Sequence, residues 1–266
     1  MTSNTLSDKL TEIIDDLIRA STSIPVIGLS GPQGSGKSTA LNHVLRQSSF
    51  RIAGLGLDDF YLTKSERLTL RENISPLFGT RGPPGTHDLT LLERTLDDLL
   101  DAAPETECRI PGFDKTVDDR MPYERWDRFQ GRPNAIILEG WMVGATLPPD
   151  FVTSPPLNEI ETRDIGNAWR RRQCEKLSHS YAGLWDRIDH FIHIAGPGFD
   201  AVQNWRIQQE ATNLNVKLSE LPDIRRQWVV SFVQYFERLT VSMQNGYKRP
   251  GIILPIDAER QYIAPF

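Results

Sequence analysis

Cysteine is nearly absent: the 266 residues include two, Cys108 and Cys174, and neither stands in a C-x-x-C pair. That excludes a disulfide framework and a thiolate zinc site, and it suits a reducing compartment. No apolar run approaches the roughly 20 residues needed to span a bilayer. The first segment carries Asp8, Glu12, Asp15 and Asp16, where a secretory leader would be basic and then apolar. A cytoplasmic protein with no membrane partner is expected. Positive charge is not in excess either, with 30 Lys and Arg against 35 Asp and Glu, a net charge of -5. Nucleic acid held through phosphate contacts is therefore not an expected partner, although a local basic pocket for a small anion stays open. Repeats and low-complexity tracts are missing as well. With 39% apolar and 24% charged residues, the composition excludes disordered, collagen-like and coiled-coil chains.

What is present is an alternation of helical and extended signals. Leu6, Leu10, Ile13, Ile14, Leu17 and Ile18 recur at helical spacing, within a helix expected over residues 1–20. Pro25 to Ser30 is short, apolar and β-branched at Val26 and Ile27, the mark of a buried strand. A glycine-rich turn and a helix from Ser38 to Gln47 follow, so residues 25–47 read strand, loop, helix. Further strands are expected at Ile52 to Leu57, Ala135 to Leu138, Phe191 to Ile194 and Ile252 to Leu254. Thr63-Lys64-Ser65-Glu66 and Thr90-Leu91-Leu92-Glu93 both fit the capping box and mark helix starts. A long helix is expected from Ile224 to about Met243. Within residues 73–90, the stretch Ser75 to Asp88 holds Pro76, Gly79, Gly82, Pro83, Pro84 and Gly85 and reads as a long, functional loop. Strands separated by helices argue for a mainly parallel sheet with helices on both faces, in one domain over residues 1–266.

Gly31-Pro32-Gln33-Gly34-Ser35-Gly36-Lys37-Ser38 matches G-x-x-x-x-G-K-[ST] between an expected strand and an expected helix. Glycines let the backbone turn so that several N–H groups point at phosphate oxygens. The following helix aims the positive end of its dipole at the same place. Lys37 is expected to reach the β- and γ-phosphates, and Ser38 to bind Mg²⁺. The ATP-binding set runs on to Thr39. Such a loop needs an acidic partner on a neighbouring strand, and Ile136-Ile137-Leu138-Glu139-Gly140 supplies Glu139, whose reach suits a metal-bound water. Leu57-Asp58-Asp59-Phe60-Tyr61 ends the second strand, at the sheet edge where ligands bind. A base for a hydroxyl proton belongs there. Adjacent side chains on extended backbone point in opposite directions, so Asp58 is expected to be the base and Asp59 a support.

Those segments together resemble the P-loop small-molecule kinases, the group of phosphoribulokinase, uridine kinase and pantothenate kinase. The likeness is greater to the D-glycerate 3-kinase type of plants and its fungal and bacterial relatives. It rests on Leu57 to Thr63, on Arg81-Gly82-Pro83-Pro84-Gly85-Thr86-His87-Asp88, on Phe113-Asp114-Lys115 with Asp119-Arg120, on Leu138 to Met142, and on Asn204 to Glu210. The resemblance implies a three-layer α/β/α fold with a doubly wound sheet, ATP with Mg²⁺, and transfer of the γ-phosphoryl group to a primary hydroxyl. It also implies Asp58 as the base and Arg206 as a lid arginine, with Arg170, Arg171 and Arg172 competing for that place or forming a solvated helix face. D-Glycerate to 3-phosphoglycerate is the leading expectation. A small hydroxy acid calls for a cation and hydrogen-bonding groups, which makes Asp59, Tyr61, Arg81, His87, Asp88, Lys115 and Arg120 the substrate-binding candidates. The alternatives are another acceptor (a nucleoside, pantothenate or a sugar phosphate) and a pseudokinase that binds ATP without turnover. Oligomeric state is not legible.

Overall fold

A computed structural model describes residues 5–264; positions 1–4 of the expected first helix lie outside the described residues. Helix α1 (Leu6–Ala20) starts at Thr5, whose side chain accepts from the Asp8 backbone while Asp8 reaches back to Thr5. Its buried stripe is Leu6, Leu10, Ile14 and Ile18. Strand β1 (Val26–Ser30) runs through the glycine loop into α2 (Lys37–Gln47), followed by β2 (Ile52–Gly56). Helix α3 (Lys64–Asn73) opens on the capping box expected at Thr63. Helix α4 (Leu89–Leu100) does not begin at Thr90: Asp88 caps it, accepting from the Leu91 backbone. Two small antiparallel ribbons come next, built from β3 (Glu107–Ile110), β4 (Phe113–Asp114), β5 (Asp119–Arg120) and β6 (Asp127–Gln130), with β3 on β6 and β4 on β5.

Strand β7 (Ala135–Gly140) returns to the main sheet. After the short α5 (Glu159–Thr162), α6 (Ala168–Lys176) passes through a π turn into α7 (Ala182–Trp185). Strand β8 (His190–Ala195), α8 (Phe199–Asn213), α9 (Asp223–Gln244) and β9 (Ile252–Pro255) complete the order. The main sheet is fully parallel, in the order β2-β7-β1-β8-β9. A parallel sheet covered on both faces needs strands that are apolar on both, and these are. Ile27, Ile137 and Ile192 pack with α1, α2 and Trp205 of α8, while Val26, Ile136, Leu138 and Phe191 pack with Leu92, Leu96, Trp185 and Phe236. The fold is the three-layer α/β/α sandwich. Because chain continues from β1 outward in both directions, a crevice opens at the carboxyl end of β1, the place where such sheets bind ligands.

The glycine- and proline-rich segment departs from the expected loop. Pro76–Gly79 forms a 3₁₀ turn, Leu77, Phe78, Thr86 and His87 are buried, and Gly82 N–H donates to Thr86 Oγ1 at 3.0 Å. Gly82 sits at φ +110°, and a Cβ there would meet the Phe236 ring at 2.6 Å. The long loop read from composition is packed in part as a wall of the molecule. Among the described residues no helix is long and apolar enough to cross a membrane.

The seam between α1 and the sheet gives a direct test of this packing. Leu10 has no exposed surface, so Leu10→Ala is expected to lower the unfolding free energy by about 2–5 kcal/mol, read as a lower urea midpoint at unchanged slope.

Candidate active site

The phosphate loop is shaped by two left-handed glycines, Gly34 at φ +75° and Gly36 at φ +89°. At Gly34 there is no room for a side chain, since a Cβ would lie 2.6 Å from Trp205 Cβ. Trp205 donates through Nε1 to the Ala258 carbonyl at 2.7 Å, and Arg260 Nε donates to the Gly34 carbonyl at 2.6 Å. The loop is thus clamped from α8 and from the segment after β9. Lys37, the first residue of α2, is buried and donates to the Pro32 carbonyl at 3.1 Å. Burial lowers its pKa, opposed by the charges of Glu139 and Asp58. Ser35 Oγ and Gln33 Oε1 are buried without a protein partner. Ser38 donates to Glu139 Oε1 at 2.8 Å, which brings the two expected metal ligands together. Free amides, a buried ammonium and orphaned polar atoms fit a polyphosphate, and the Ser38–Glu139 pair fits an oxygen-loving cation beside it. Among the described residues no group of three or more His, Cys, Asp or Glu could hold a metal unaided.

Asp58 and Asp59 are not on extended backbone as expected. They sit in a 3₁₀ turn, Leu57–Phe60, that caps β2. The turn still separates them. Asp58 faces the cleft, where Tyr61 donates its hydroxyl proton to Oδ1 at 2.6 Å and Lys115 Nζ donates to Oδ2 at 3.0 Å. Burial pushes the Asp58 carboxyl up, but the Lys115 ammonium and the Tyr61 hydroxyl outweigh it and hold the pKa at about 2. Asp59 turns back under β2, with Oδ2 2.6 Å from where a Gly56 Cβ would stand. Burial, and then the negative charge of Asp58, raises its pKa to about 6.

A cleft of about 1040 Å³ joins the phosphate loop to Asp58. Of the expected substrate-binding residues, Tyr61, Arg81 and Lys115 line it, whereas Asp59, His87, Asp88 and Arg120 do not. His87 is buried behind Tyr61, ring centroids 4.9 Å apart, with Nδ1 2.7 Å from the Tyr181 hydroxyl. That hydroxyl also accepts from Gly85 N–H at 3.0 Å. Desolvation lowers the His87 pKa to about 4. Arg120 donates to Asp88 at 2.8 Å and to the Tyr61 carbonyl at 3.2 Å. The direct contact expected of His87, Asp88 and Arg120 is corrected to support of the Tyr61 wall.

Arg206 does reach the cleft, from α8, with its guanidinium 5.7 Å above the Phe232 ring and Nε buried without a partner. Its three competitors do not. Arg170 is buried on Asp164, Arg171 donates to the Gly166 carbonyl, and Arg172 pairs with Glu175 at 2.8 Å. The solvated-face reading therefore fails for Arg170. Sequence reasoning missed Arg67, Asp118 and Arg163, and the aromatic wall of Trp228, Phe232 and Phe236 from α9. The helical spacing of those aromatics was visible but is equally that of a core helix. Arg260 carried no local signal, standing 226 residues from Gly34.

A strand, a glycine-turned loop and a helix opening on a buried lysine define the P-loop class, here with an aspartate across the cleft. No protein-family profile matches the chain. It is 34% identical over 197 residues to an uncharacterized kinase of Schizosaccharomyces pombe, covering 70% of this chain and 69% of that one. It is 28% identical over 254 residues to the chloroplastic D-glycerate 3-kinase of Arabidopsis thaliana, which covers 89% of this chain but only 53% of the plant protein, about half its length. The solved structure of a D-glycerate 3-kinase from Cryptococcus neoformans superposes with a TM-score of 0.76 at 26% identity, over 97% of this chain and 98% of that one. The chain belongs to the P-loop kinases, in the group that includes D-glycerate 3-kinase.

Asp59 carries a pH signature. Its native pKa of about 6 lies above the ordinary 3.8, so the native state holds this proton more tightly than the unfolded state does. The stability it contributes is full below about pH 4 and is lost as pH rises through 6. Asp59→Asn is expected to gain on the parent in melting temperature as pH goes from 4 to 7. A difference that stays flat over that range would contradict the assignment.

Proposed function

We propose that the protein transfers the γ-phosphoryl group of ATP, with Mg²⁺, to a primary hydroxyl of a small hydroxy acid, D-glycerate before all others, giving 3-phosphoglycerate. The observation that carries this reading is Asp58, held ionised by Lys115 and Tyr61 and facing a cleft whose other end is the phosphate loop. A plant D-glycerate 3-kinase at 28% identity and the solved structure of a fungal one at 26% identity match over most of the chain, which supports this acceptor.

Phosphoryl transfer asks a protein for positioning and for compensation of spreading charge. The loop amides between Gly31 and Thr39, apart from Pro32, which has no N–H, and Ser35, whose N–H donates to the Pro32 carbonyl, hold the phosphates. Lys37, already desolvated, sets its charge beside the β- and γ-phosphates. Ser38 and Glu139 would hold Mg²⁺, Glu139 through a water, and the ion would neutralise phosphate charge when bound. Arg206 approaches from the opposite wall, and its unpartnered Nε gives it a donor for a transferring oxygen. Asp58 orients the acceptor hydroxyl and takes its proton as the oxygen bonds to phosphorus. A carboxylate at about 2 is a weak base toward an alcohol, so the proton moves late, once that bond has made the hydroxyl acidic. Lys115 and Arg81 supply cations for the acceptor's carboxylate.

The test is ADP release from Mg-ATP against D-glycerate, L-glycerate, uridine, pantothenate and ribulose 5-phosphate. D-glycerate is expected to give the highest kcat/KM, and Asp58→Asn to lower kcat by about 10²–10⁴-fold while nucleotide binding persists. Equal turnover by Asp58→Asn would remove Asp58 from its role. Turnover of another acceptor in place of D-glycerate would replace the substrate.

A further inference from the structure

A second cavity, of about 90 Å³, lies beside the phosphate loop, between the carboxyl ends of β1 and β8 and the last turn of α9. That is room for on the order of six to nine water-sized groups. Its walls include Pro32, Trp141, His193, Met243, Gln244 and Lys248. Trp141 borders the main cleft as well, and its Nε1 is committed to the Gly82 carbonyl at 3.2 Å. The Pro32 carbonyl takes Lys37 and the Ser35 N–H, so the cavity backs onto the loop that receives the phosphates. The phosphoryl transfer described above makes no use of this space.

The walls are mostly apolar, and the polar groups set in them have bonds left to make. His193 is buried and stacks on Phe191, ring centroids 5.9 Å apart. Its Nε2 lies 2.8 Å from the Arg249 carbonyl, which can only accept, so the proton sits on Nε2. Burial, with the nearby Lys248 charge, lowers the His193 pKa and outweighs the Arg249 bond, so the ring is neutral at physiological pH. Nδ1 is therefore a bare acceptor, buried and without a partner. Gln244 Nε2 is a donor, buried and equally unpartnered. Lys248 Nζ donates to the Met243 carbonyl at 2.7 Å, and among the described residues no carboxylate offsets its charge. Buried polar atoms are rarely left unpaired, so these mark a place for a bound molecule. A cation beside an amide donor suits the two oxygens of a carboxylate. A bare imidazole nitrogen needs a donor on the same molecule. A hydroxyl supplies one, whereas an ammonium would add a second positive charge near Lys248. We propose that this cavity binds a small 2-hydroxy monocarboxylate, its carboxylate on Lys248 and Gln244 and its hydroxyl donating to His193 Nδ1. D-Glycerate is of that class, but the site stands apart from the acceptor cleft and does not depend on the substrate reading.

The experiment titrates the full chain, isotope-labelled in its histidine rings, with lactate (each enantiomer), propionate and lactamide. These molecules are close in size and differ in the hydroxyl or in the charge. Lactate is expected to saturate a site and to shift the His193 Nδ1 resonance. Propionate, without the hydroxyl, is expected to bind about three-fold or more weakly, and lactamide, without the charge, about ten-fold or more weakly. Lys248→Met and Gln244→Leu are each expected to weaken lactate by about ten-fold, so either serves if the other fails to fold. Arg81→Gln, in the main cleft, is expected to leave lactate binding unchanged. Binding lost in Arg81→Gln and kept in Lys248→Met puts the ligand in the main cleft and overturns the proposal. So does a parent protein whose His193 Nδ1 ignores lactate, since the cavity then holds only water. Propionate that binds as tightly as lactate overturns it too. Each of these outcomes is read without phosphorylation of D-glycerate, so the failure of that substrate reading leaves the site standing.

Discussion

A lysine ammonium buried at the end of an apolar sheet, with one backbone carbonyl as its hydrogen-bond partner, is the constraint on which the site depends. Among the described residues no carboxylate lies within ion-pair distance of Lys37; it bonds to Pro32 O, and burial works against its charge. An unpaired buried cation costs several kcal/mol, so the surrounding structure has to hold it in place. Gly34 and Gly36 bend the chain, Trp205 fills the space a side chain at Gly34 would take, and Arg260 fixes the Gly34 carbonyl. Glu139 and Asp58 sit close enough to favour the charge without quenching it.

The acceptor side follows a different logic, in which charges are paired but unevenly. Asp58 is held by Lys115 and Tyr61, while Asp59, one residue on, is turned under the strand and lifted to a pKa of about 6. Neighbours in sequence thus end more than three pH units apart in behaviour because a 3₁₀ turn gives them different surroundings. Behind Tyr61, His87, Tyr181, Asp88 and Arg120 make a backing of hydrogen bonds set back from the cleft lining.

What could be read from the sequence is what the local backbone decides. The strand–loop–helix at residues 25–47, the capping box at Thr63, and the five strands of the sheet depend on spacing within a few residues, and each is found. Ser38 and Glu139 also meet as expected, because a strand beside β1 must end opposite the loop. The residues that were misplaced are those whose position is set by distant packing. His87, Asp88 and Arg120 carry chemistry-bearing side chains in a distinctive motif, yet the motif's work is to build a wall. Thr90 fits a capping box, but Asp88, two residues earlier and held by Arg120, takes the helix start. The aromatic wall of α9 and the arginine pair on Asp118 come from segments far apart in the chain, and no local spacing announces them.

The clamp of Arg260 on Gly34 has a bearing on biosynthesis. The loop that receives the nucleotide is written near residue 34, yet its shape is completed by a side chain 226 residues later. The central strand β1 likewise pairs with β7 and β8, more than a hundred residues downstream. Contacts of such long separation form slowly, and a chain still emerging from the ribosome lacks them altogether. The loop that receives the nucleotide therefore reaches its full set of contacts only after Arg260 has been added to the chain.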